Sequence, residues 1–314
     1  MLSFEYIWLD YQHNLRSKIK ILQKLHDDDS SQVYDSENNN FITIKPKKIV
    51  PSPFSKGDHI ILCDTWGKND KYELIPHLTN TRHFCAKELK LHEDGNFFEF
   101  QQDFYIMDAM HRPFGIEGIC GEQMNYCKIG NGQIVGRTIM HRVMNMCKES
   151  GINVTQLNSE NGFGQWSFKI SGYDIDVADQ LIIFRYILSR VCEEYNGYPN
   201  FSPVPHVGFN PSGLKVSFST NKMNLNYDAI NHALKMFSKN HERSLSYYGN
   251  NQKRLSRFHQ TTFSFGISKY DVSVNIPNET YINRHGYITD LRPASNANPY
   301  YIIQSIMETI HKTD

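Results

Sequence analysis

The side chains best suited to chemistry along this chain are oxygen ligands on an extended segment. The segment FEFQQDFYIM (98–107) is strand-like, and it carries Gln101 and Asp103 two positions apart. Residues two apart on a strand face the same side of a sheet, so the amide and the carboxylate are expected to share one face. Hard cations such as Mg²⁺ prefer oxygen ligands, especially anionic ones. The spacing therefore places an amide and a carboxylate together and leaves their role open.

Thiol and imidazole sites are not indicated. The six cysteines form no CxxC pair, and His77, His83 and His111 show no ligand spacing. In a chain of 314 residues, which needs no disulfide framework, the cysteines are expected to be free or buried thiols in a reducing compartment. Free thiols of this kind predict a cytoplasmic protein.

Charge and hydropathy exclude several classes of partner. The chain has 33 Lys and Arg residues against 33 Asp and Glu residues, so nothing favours nucleic acid or an anionic membrane as a partner. No apolar run approaches the roughly 20 residues that span a bilayer, and the N-terminus lacks the pattern of a secretory signal. No nucleic-acid or membrane interaction is expected.

The elements that must position the oxygen ligands alternate along the chain. Strands are predicted from β-branched, aromatic and alternating patterns at 4–10, 59–66, 98–107, 164–171, 214–220, 263–268 and 271–277. Helical spacing is found at 136–151, 176–195, 227–243 and 299–312, whereas the polar stretch 25–40 is predicted to be a loop. The pattern indicates an α+β or α/β fold with a small β-rich N-terminal domain.

Short motifs then occur in the order found in one enzyme family. They are EYIWLD (5–10), PFSKGDHIILCDTW (53–66), TNTRHFCAK (79–87), NSE…GQWSFKI (158–170), RYILSRVCEEY (185–195), KRLSRFHQT (253–261) and GYITDLRPASNANP (286–299). From about residue 4 to 312 the chain resembles eukaryotic-type glutamine synthetases, the glutamate–ammonia ligases.

The resemblance implies an α+β fold. A small β-grasp domain would occupy residues 1–85, and a catalytic-type domain with a curved antiparallel sheet packed with helices would occupy 86–314. It also implies ATP-dependent ligation of ammonia to glutamate through a γ-glutamyl phosphate, with Mg²⁺ and with active sites between neighbouring subunits of stacked rings. The chain begins near the first family strand and ends soon after the last helix, so altered ring stacking is expected.

The metal-ligand positions implied by the resemblance carry carboxylates in some cases and other side chains in the rest. Two positions keep a carboxylate, Asp103 and Glu160, and four carry other side chains: Gln101, Ser167, Lys215 and Thr289. The ion that orients glutamate would face Gln101, Lys215 and Thr289, and we expect that site to be lost. The ion that bridges the nucleotide phosphates would face Asp103, Glu160 and Ser167, a set that could still hold one Mg²⁺ weakly.

Lys215 suggests a replacement for the missing ion. Its ammonium could occupy the vacated position and pair with Asp103 or Glu160, with an attraction of about 4 kcal/mol at 4 Å for an effective dielectric near 20. Alternatively, the side chain turns out to solvent.

The remaining site positions are implied in the same way. Catalytic candidates are Asp28, which matches an aspartate that helps hold ammonium, Arg254, and Gln260, which replaces the glutamate that removes a proton from ammonium. Nucleotide contacts are expected from Ser217, Ser219 and Tyr287, and glutamate contacts from Asn210, Gly213 and Arg254. Three arginines that act on phosphate in the family are replaced by Tyr270, Asn275 and Leu291.

These replacements predict a glutamine synthetase homologue that is catalytically impaired or inactive. One alternative is an active synthetase with one weakened metal site, which would use glutamate, ammonia, ATP and Mg²⁺. Another is a non-catalytic regulator or ring partner, in a homo-oligomeric ring or in a hetero-assembly with an active synthetase. A purely structural homo-oligomer is a further possibility.

Overall fold

The computed structural model describes residues 1–26, 29–35, 39–92, 95–115, 125–130, 134–206, 208–249, 252–258 and 260–312. Its strands are β1 (Leu2–Leu9), β2 (Leu15–Leu22), β3 (Ser31–Asp35), β4 (Asn40–Pro51), β5 (His59–Lys68), β6 (Leu74–Pro76), β7 (Phe97–Asp108), β8 (Val154–Ser159), β9 (Gln165–Tyr173), β10 (Gly197–Asn200), β11 (Leu214–Ser219), β12 (Phe265–Ile267), β13 (Val274–Ile276) and β14 (Ile288–Asp290). Its helices are α1 (Thr81–Leu89), α2 (Arg137–Glu149), α3 (Asp174–Glu194), α4 (Tyr227–Lys239), α5 (His241–Tyr247), α6 (Gln252–Arg257), α7 (Asn278–Asn283) and α8 (Pro299–Ile310).

The first sheet is built from the N-terminal strands. Its order is β2-β1-β5-β4-β3, with β6 paired to β5, and only β1 and β5 run parallel. Alternate side chains of a strand point to opposite faces. Tyr6 and Trp8 of β1 therefore pack in a small local core, whereas Ile7 and Leu9 join the main core. One face of this sheet thus lies on the rest of the chain.

The second sheet carries the candidate site. Its order is β12-β13-β14-β11-β7-β9-β8, with β10 paired to the far end of β7, and it is antiparallel apart from the β12–β13 pair. The sheet curls and is packed with helices, as the resemblance implied. Leu181, Phe184 and Leu188 of α3 are fully buried, so this helix forms the centre of the core. Among the described residues, no helix has both the length and the apolar character needed to cross a membrane.

A polar network connects the first sheet to the helices of the second. The Arg82 guanidinium in α1 donates to both Asp179 carboxylate oxygens, at 2.8 and 2.9 Å. The Tyr300 hydroxyl of α8 donates to the same carboxylate at 2.6 Å, and Arg82 also lies 3.8 Å from Asp64 of β5. Because α1 packs against both α3 and α8, the boundary between 1–85 and 86–314 stays a prediction.

Two sequence predictions about single elements are corrected. The polar stretch 25–40 contains β3, which pairs with β4 and buries alternate residues. The single helix predicted over 227–243 is broken at Asn240, which has a non-helical φ of −113° and whose side-chain amide donates to the Met236 carbonyl at 2.9 Å.

The Arg82–Asp179 pair gives a test of how the two sheets are joined. We expect Asp179→Asn to lower the free energy of unfolding by about 3 kcal/mol, because it removes the closer, bidentate counter-charge of a largely buried guanidinium and leaves only Asp64 at 3.8 Å. Urea unfolding followed by circular dichroism measures this change. Arg112→Gln, which removes an exposed pair with Asp108, is the matched control and should cost less than about 1 kcal/mol. Equal losses in the two variants would contradict this role.

Candidate functional site

A cleft of about 620 Å³ opens on one face of the second sheet. The strand register places its polar residues in rows, because Gln101 lies opposite both Lys215 of β11 and Lys169 of β9, and Asp103 lies opposite Ser167. The cleft is lined by Gln101, Asp103, Tyr126, Gln156, Asn158, Glu160, Asn161, Lys169, Asn210, Pro211, Lys215, Arg254, Phe258, Gln260, Tyr270 and Leu291. The alternation of β7 thus brings Gln101 and Asp103 to the same face.

Asp103 is a buried carboxylate with three neutralising contacts. One oxygen accepts a hydrogen bond from the backbone N–H of Gly213 at 3.2 Å and lies 3.6 Å from the Lys215 ammonium. The other oxygen accepts from the Gln101 amide at 3.3 Å. The Lys215 side chain is 28% exposed, so the ammonium reaches the acidic residue from the open side of the cleft. Of the two orientations considered for Lys215, the structure shows the one paired with Asp103.

Glu160 lies beside Asp103, just after β8. Its Oε1 accepts hydrogen bonds from the Ser167 hydroxyl at 2.6 Å and from the Gln101 amide at 3.4 Å. Burial, followed by the nearby charge of Asp103, raises the pKa of Glu160 to about 7, although the Lys215 charge and the Ser167 hydrogen bond act in the opposite direction. The Gln101 amide therefore bridges two carboxylates, one of which lies close to its protonation midpoint at neutral pH.

Thr289 and the residues matched to nucleotide contacts lie along β11 and β14. Thr289 lies opposite Ser217, and their hydroxyls are 2.9 Å apart. Thr289 thus bonds to Ser217 rather than to the acidic pair. Ser219 is buried at the end of β11. Tyr287 precedes β14, and burial together with the Glu279 carboxylate raises its pKa to about 12. The nucleotide roles of these residues stay predictions.

Arg254 lies under the floor of the cleft. It is 3% exposed, and its terminal nitrogens donate to the backbone carbonyls of Arg292 and Leu291 at 3.1 and 2.8 Å. Burial lowers its pKa to about 10. A Cβ atom at Gly213 would lie 2.4 Å from Arg254 Nη2, so this close approach requires glycine.

Gln260 and Asn210 complete the floor through neutral hydrogen bonds. Gln260 is almost fully buried, and its amide donates to the Val272 carbonyl at 2.7 Å. The Asn210 amide donates to Gln165 at 2.8 Å, and its backbone carbonyl accepts from the Tyr105 hydroxyl at 3.0 Å. Asp28, the remaining catalytic candidate, lies outside the described residues.

Arg292 does not serve the cleft. The guanidinium is fully buried, donates to Asp290 at 2.7 and 2.9 Å, and donates to His241 Nδ1 at 3.0 Å. Its neighbour Leu291 lines the cleft at a position for which the resemblance implies an arginine. Tyr270, at another such position, also lines the cleft and is 75% exposed.

The donor set limits which metal could bind. Among the described residues, no three or more His, Cys, Asp or Glu side chains converge as a ligand group. Mg²⁺ is commonly held by one or two carboxylates, with water and phosphate oxygens completing the shell. Asp103 and Glu160, with the Ser167 hydroxyl nearby, fit one hydrated ion if the Lys215 ammonium moves aside. They do not fit a second.

Sequence reasoning missed several residues of the cleft, notably Lys169. Its ammonium lies 3.0 Å from Glu99 of β7, so this lysine of the cleft is paired with a carboxylate that lies outside the cleft lining. The sequence could have indicated Lys169 as a residue of the cleft. It follows Ser167 by two positions on the predicted strand 164–171, so the two side chains share one face of that strand. Tyr126, Gln156 and Asn158 had no comparable signal.

The small mixed sheet and the curled second sheet packed with helices have the arrangement of the glutamine synthetase fold. A solved structure of Plasmodium falciparum glutamine synthetase, determined by cryo-electron microscopy, superposes with a TM-score of 0.79 over 99% of this chain and 72% of that chain, at 14% identity. At that identity the likeness establishes the fold alone.

Sequence comparison establishes the family. A family model described as the glutamine synthetase catalytic domain matches residues 88–242. Glutamine synthetase of Tuber borchii is 34% identical, over 98% of this chain and 91% of that protein. The enzyme of Colletotrichum gloeosporioides is 32% identical over the same shares. The chain therefore belongs to the glutamine synthetase family.

The raised pKa of Glu160 predicts a pH-dependent stability. Between about 4.5 and about 7 the folded protein keeps a proton that the unfolded chain releases, so this residue makes stability fall as pH rises through that window. Glu160→Gln cannot ionise. We expect the variant to gain up to about 3 kcal/mol over the wild type from pH 5 to pH 8, at about 1.4 kcal/mol per pKa unit. Urea unfolding at each pH measures the difference.

Two further variants make this test specific. Glu149→Gln removes an exposed carboxylate at the end of α2 and controls for the loss of a charge. Lys215→Met should extend the window to higher pH at its upper limit, because the ammonium opposes the rise in the pKa of Glu160 in the folded protein. A constant difference between Glu160→Gln and the wild type from pH 5 to 8 would show that Glu160 ionises normally.

Proposed function

We propose that this chain is a glutamine synthetase homologue in which ATP-dependent ligation of ammonia to glutamate is strongly impaired. The observation that carries the proposal is the Lys215 ammonium 3.6 Å from Asp103, where the resemblance implies a metal ligand. The family uses glutamate, ammonia and ATP, and its members form oligomeric rings. The proposal concerns only how well this chain performs the family reaction.

An ammonium can replace only part of what a metal ion supplies. An ammonium near Asp103 supplies attraction of about 4 kcal/mol at roughly 4 Å with an effective dielectric near 20. It is a point charge, however, and cannot hold substrate oxygens in a coordination shell as a metal ion does. Gln101 and Thr289 offer neutral oxygens at most. The chain thus offsets the negative charge of its buried carboxylates, but it offers no coordination shell to position the reacting groups.

The migrating phosphate lacks the arginines that the resemblance implies. Leu291 and Tyr270 present no cation to it, and Arg292 is bound to Asp290. Losing one charge-stabilising donor commonly lowers the rate by about 10²–10³, and an arginine that acts on a transferring phosphoryl group can be worth about 10³–10⁵. These losses are not additive. Even one of them leaves little turnover.

Proton transfer from ammonium is also affected. Gln260 stands where the resemblance implies the base that deprotonates ammonium. Its amide is neutral and donates to the Val272 carbonyl, so it cannot accept the proton. Glu160, with a pKa near 7, could accept a proton at neutral pH, but its hydrogen bonds tie it to Ser167 and Gln101 on the metal side of the cleft.

Binding without turnover is the function that remains. Asp103 and Glu160 could hold one Mg²⁺ with ATP phosphates, and Ser217, Ser219 and Tyr287 could contact the nucleotide. A second candidate is a ring partner or regulator of an active synthetase. The regulator is favoured because the chain keeps the family fold, whereas several side chains of its cleft differ from those that the resemblance implies. Such a subunit would assemble with the active enzyme and alter its activity.

Binding and turnover can be measured separately. We expect calorimetric titration with ATP and Mg²⁺ to show at most one bound ion per chain, and a γ-glutamyl transfer assay to show no turnover above background. Addition of the protein to an active synthetase, followed by native mass spectrometry, tests for mixed rings. Efficient turnover that is lost in Glu160→Gln would overturn the proposal and favour the active alternative.

Restoring two family ligands should restore metal affinity. The double variant Lys215→His with Thr289→Glu removes a cation and adds a carboxylate. We expect it to bind Mn²⁺ or Mg²⁺ at least about tenfold more tightly than the wild type. The change in charge at each of the two positions should contribute about 1 kcal/mol or more to the free energy of ion binding. Calorimetry measures the affinity, and Lys87→His on the exposed face of α1 is the control. Unchanged affinity would mean that positions 215 and 289 do not face one ion.

A further inference from the structure

A second and larger cavity, of about 860 Å³, lies away from the cleft. It is bounded by the β1–β2 hairpin, by α3, and by the segment 296–301 at the start of α8. None of the residues that line it lines the cleft. Its volume falls in the range of about 300–1,000 Å³ that is typical of small-molecule sites.

Arg185 of α3 reaches this cavity with its charge uncompensated. The side chain is more than nine-tenths buried. Its Nε and Nη2 atoms donate to the Gln102 amide oxygen at 2.9 and 2.6 Å, and Nη2 also donates to the carbonyls of Ser295 and Ala297 at 3.0 Å. Every one of these acceptors is neutral, and Nη1 donates to no described residue.

The other arginines that line the cavity have carboxylate partners. Arg16 lies 2.8 Å from Asp10, and Arg190 lies 3.0 Å from Glu5. Burial of Arg185 without such a partner lowers its pKa to about 9. A buried charge is costly unless it is paired. An anion that entered the cavity would therefore find one guanidinium whose positive charge is not neutralised by a described residue.

Aromatic rings form another part of the wall. The Arg185 guanidinium lies over the Phe201 ring, with its carbon 5.2 Å from the ring centroid. Tyr301 meets His13 and Tyr247 edge-on, at centroid distances of 5.5 and 5.9 Å. Such surfaces pack well against an apolar or planar ligand body.

We propose that this cavity is a second ligand site, which binds a small organic anion through its carboxylate or phosphate group. The oxyanion accepts hydrogen bonds from Nη1 of Arg185, and the body of the ligand packs against Phe201, Tyr247 and Tyr301. The site is independent of the acidic cleft and of the function proposed for it.

Three probes define the ligand chemistry: inorganic phosphate, phenyl phosphate and benzoate. Calorimetric titration of the full chain should show saturable binding of phenyl phosphate that is tighter than that of inorganic phosphate, because the ring adds aromatic contact. Benzoate distinguishes a carboxylate ligand from a phosphate ligand. Failure of all three probes to saturate the wild-type protein would overturn the proposal.

Charge variants at the rim give a test that leaves the core intact. Ser17 lines the cavity from the exposed face of β2. Ser17→Glu should weaken and Ser17→Lys should strengthen anion binding, each by about threefold to tenfold, in proportion to the added charge. Equal affinities in these two variants would contradict an anion site here.

Two more variants test whether the anion binds at Arg185 in this cavity or in the cleft. Arg185→Gln removes the charge and should weaken binding by at least about tenfold, the usual loss for a hydrogen bond to a charged group. Its folding is checked by circular dichroism, and the Ser17 pair decides the outcome if it unfolds. Lys215→Met removes a cation from the acidic cleft and should leave binding unchanged. Loss of anion binding in Lys215→Met would place the anion in the cleft instead.

Discussion

The compensation of two buried carboxylates is the constraint on which the candidate site depends. Asp103 and Glu160 are 4% and 9% exposed, and a buried charge destabilises a protein unless metal, cation or hydrogen-bond donors offset it. This chain supplies the Lys215 ammonium, the Gln101 amide and the Ser167 hydroxyl. The groups that allow the cleft to fold without a metal are therefore the groups that leave little room for one. Under the proposed function, the residues that offset these two charges are also the residues that lower the affinity for a metal ion.

Core packing fixes where these groups meet. β7 lies between β11 and β9, so the register of the two ladders sets Gln101 between Lys215 and Lys169. On the opposite face of the same strands, Phe100 and Val216 are fully buried in the main core. A slip of one residue would exchange these faces. The polar arrangement of the cleft is thus held by the apolar arrangement behind it.

Elements that are defined by a local pattern could be predicted from the sequence, whereas features that depend on contacts between distant residues could not. Strand 98–107 and helix 176–195 were predicted because their periodicity is local and long. β3 was missed inside the polar stretch 25–40, since it is defined by its pairing with β4 and not by composition. In the site, alternation was enough to place Gln101 beside Asp103. The approach of Glu160, which follows a different strand, could be taken only from the family resemblance. The buried charge of Arg185 had no sequence signal, since it lies within an apolar helix.

Arg292 shows why a nearby arginine cannot restore phosphate contacts to this cleft. Its guanidinium makes two hydrogen bonds to Asp290 and one to His241, and the pair is fully buried. Moving it into the cleft would leave Asp290 buried without a counter-charge, at a cost of about 3–5 kcal/mol. A single contact to phosphate, worth about 1.5–3 kcal/mol for a charged hydrogen bond, does not offset that cost. Under the proposed function, the packing that stabilises the segment after β14 therefore prevents Arg292 from taking the place of the arginines implied at Tyr270, Asn275 and Leu291.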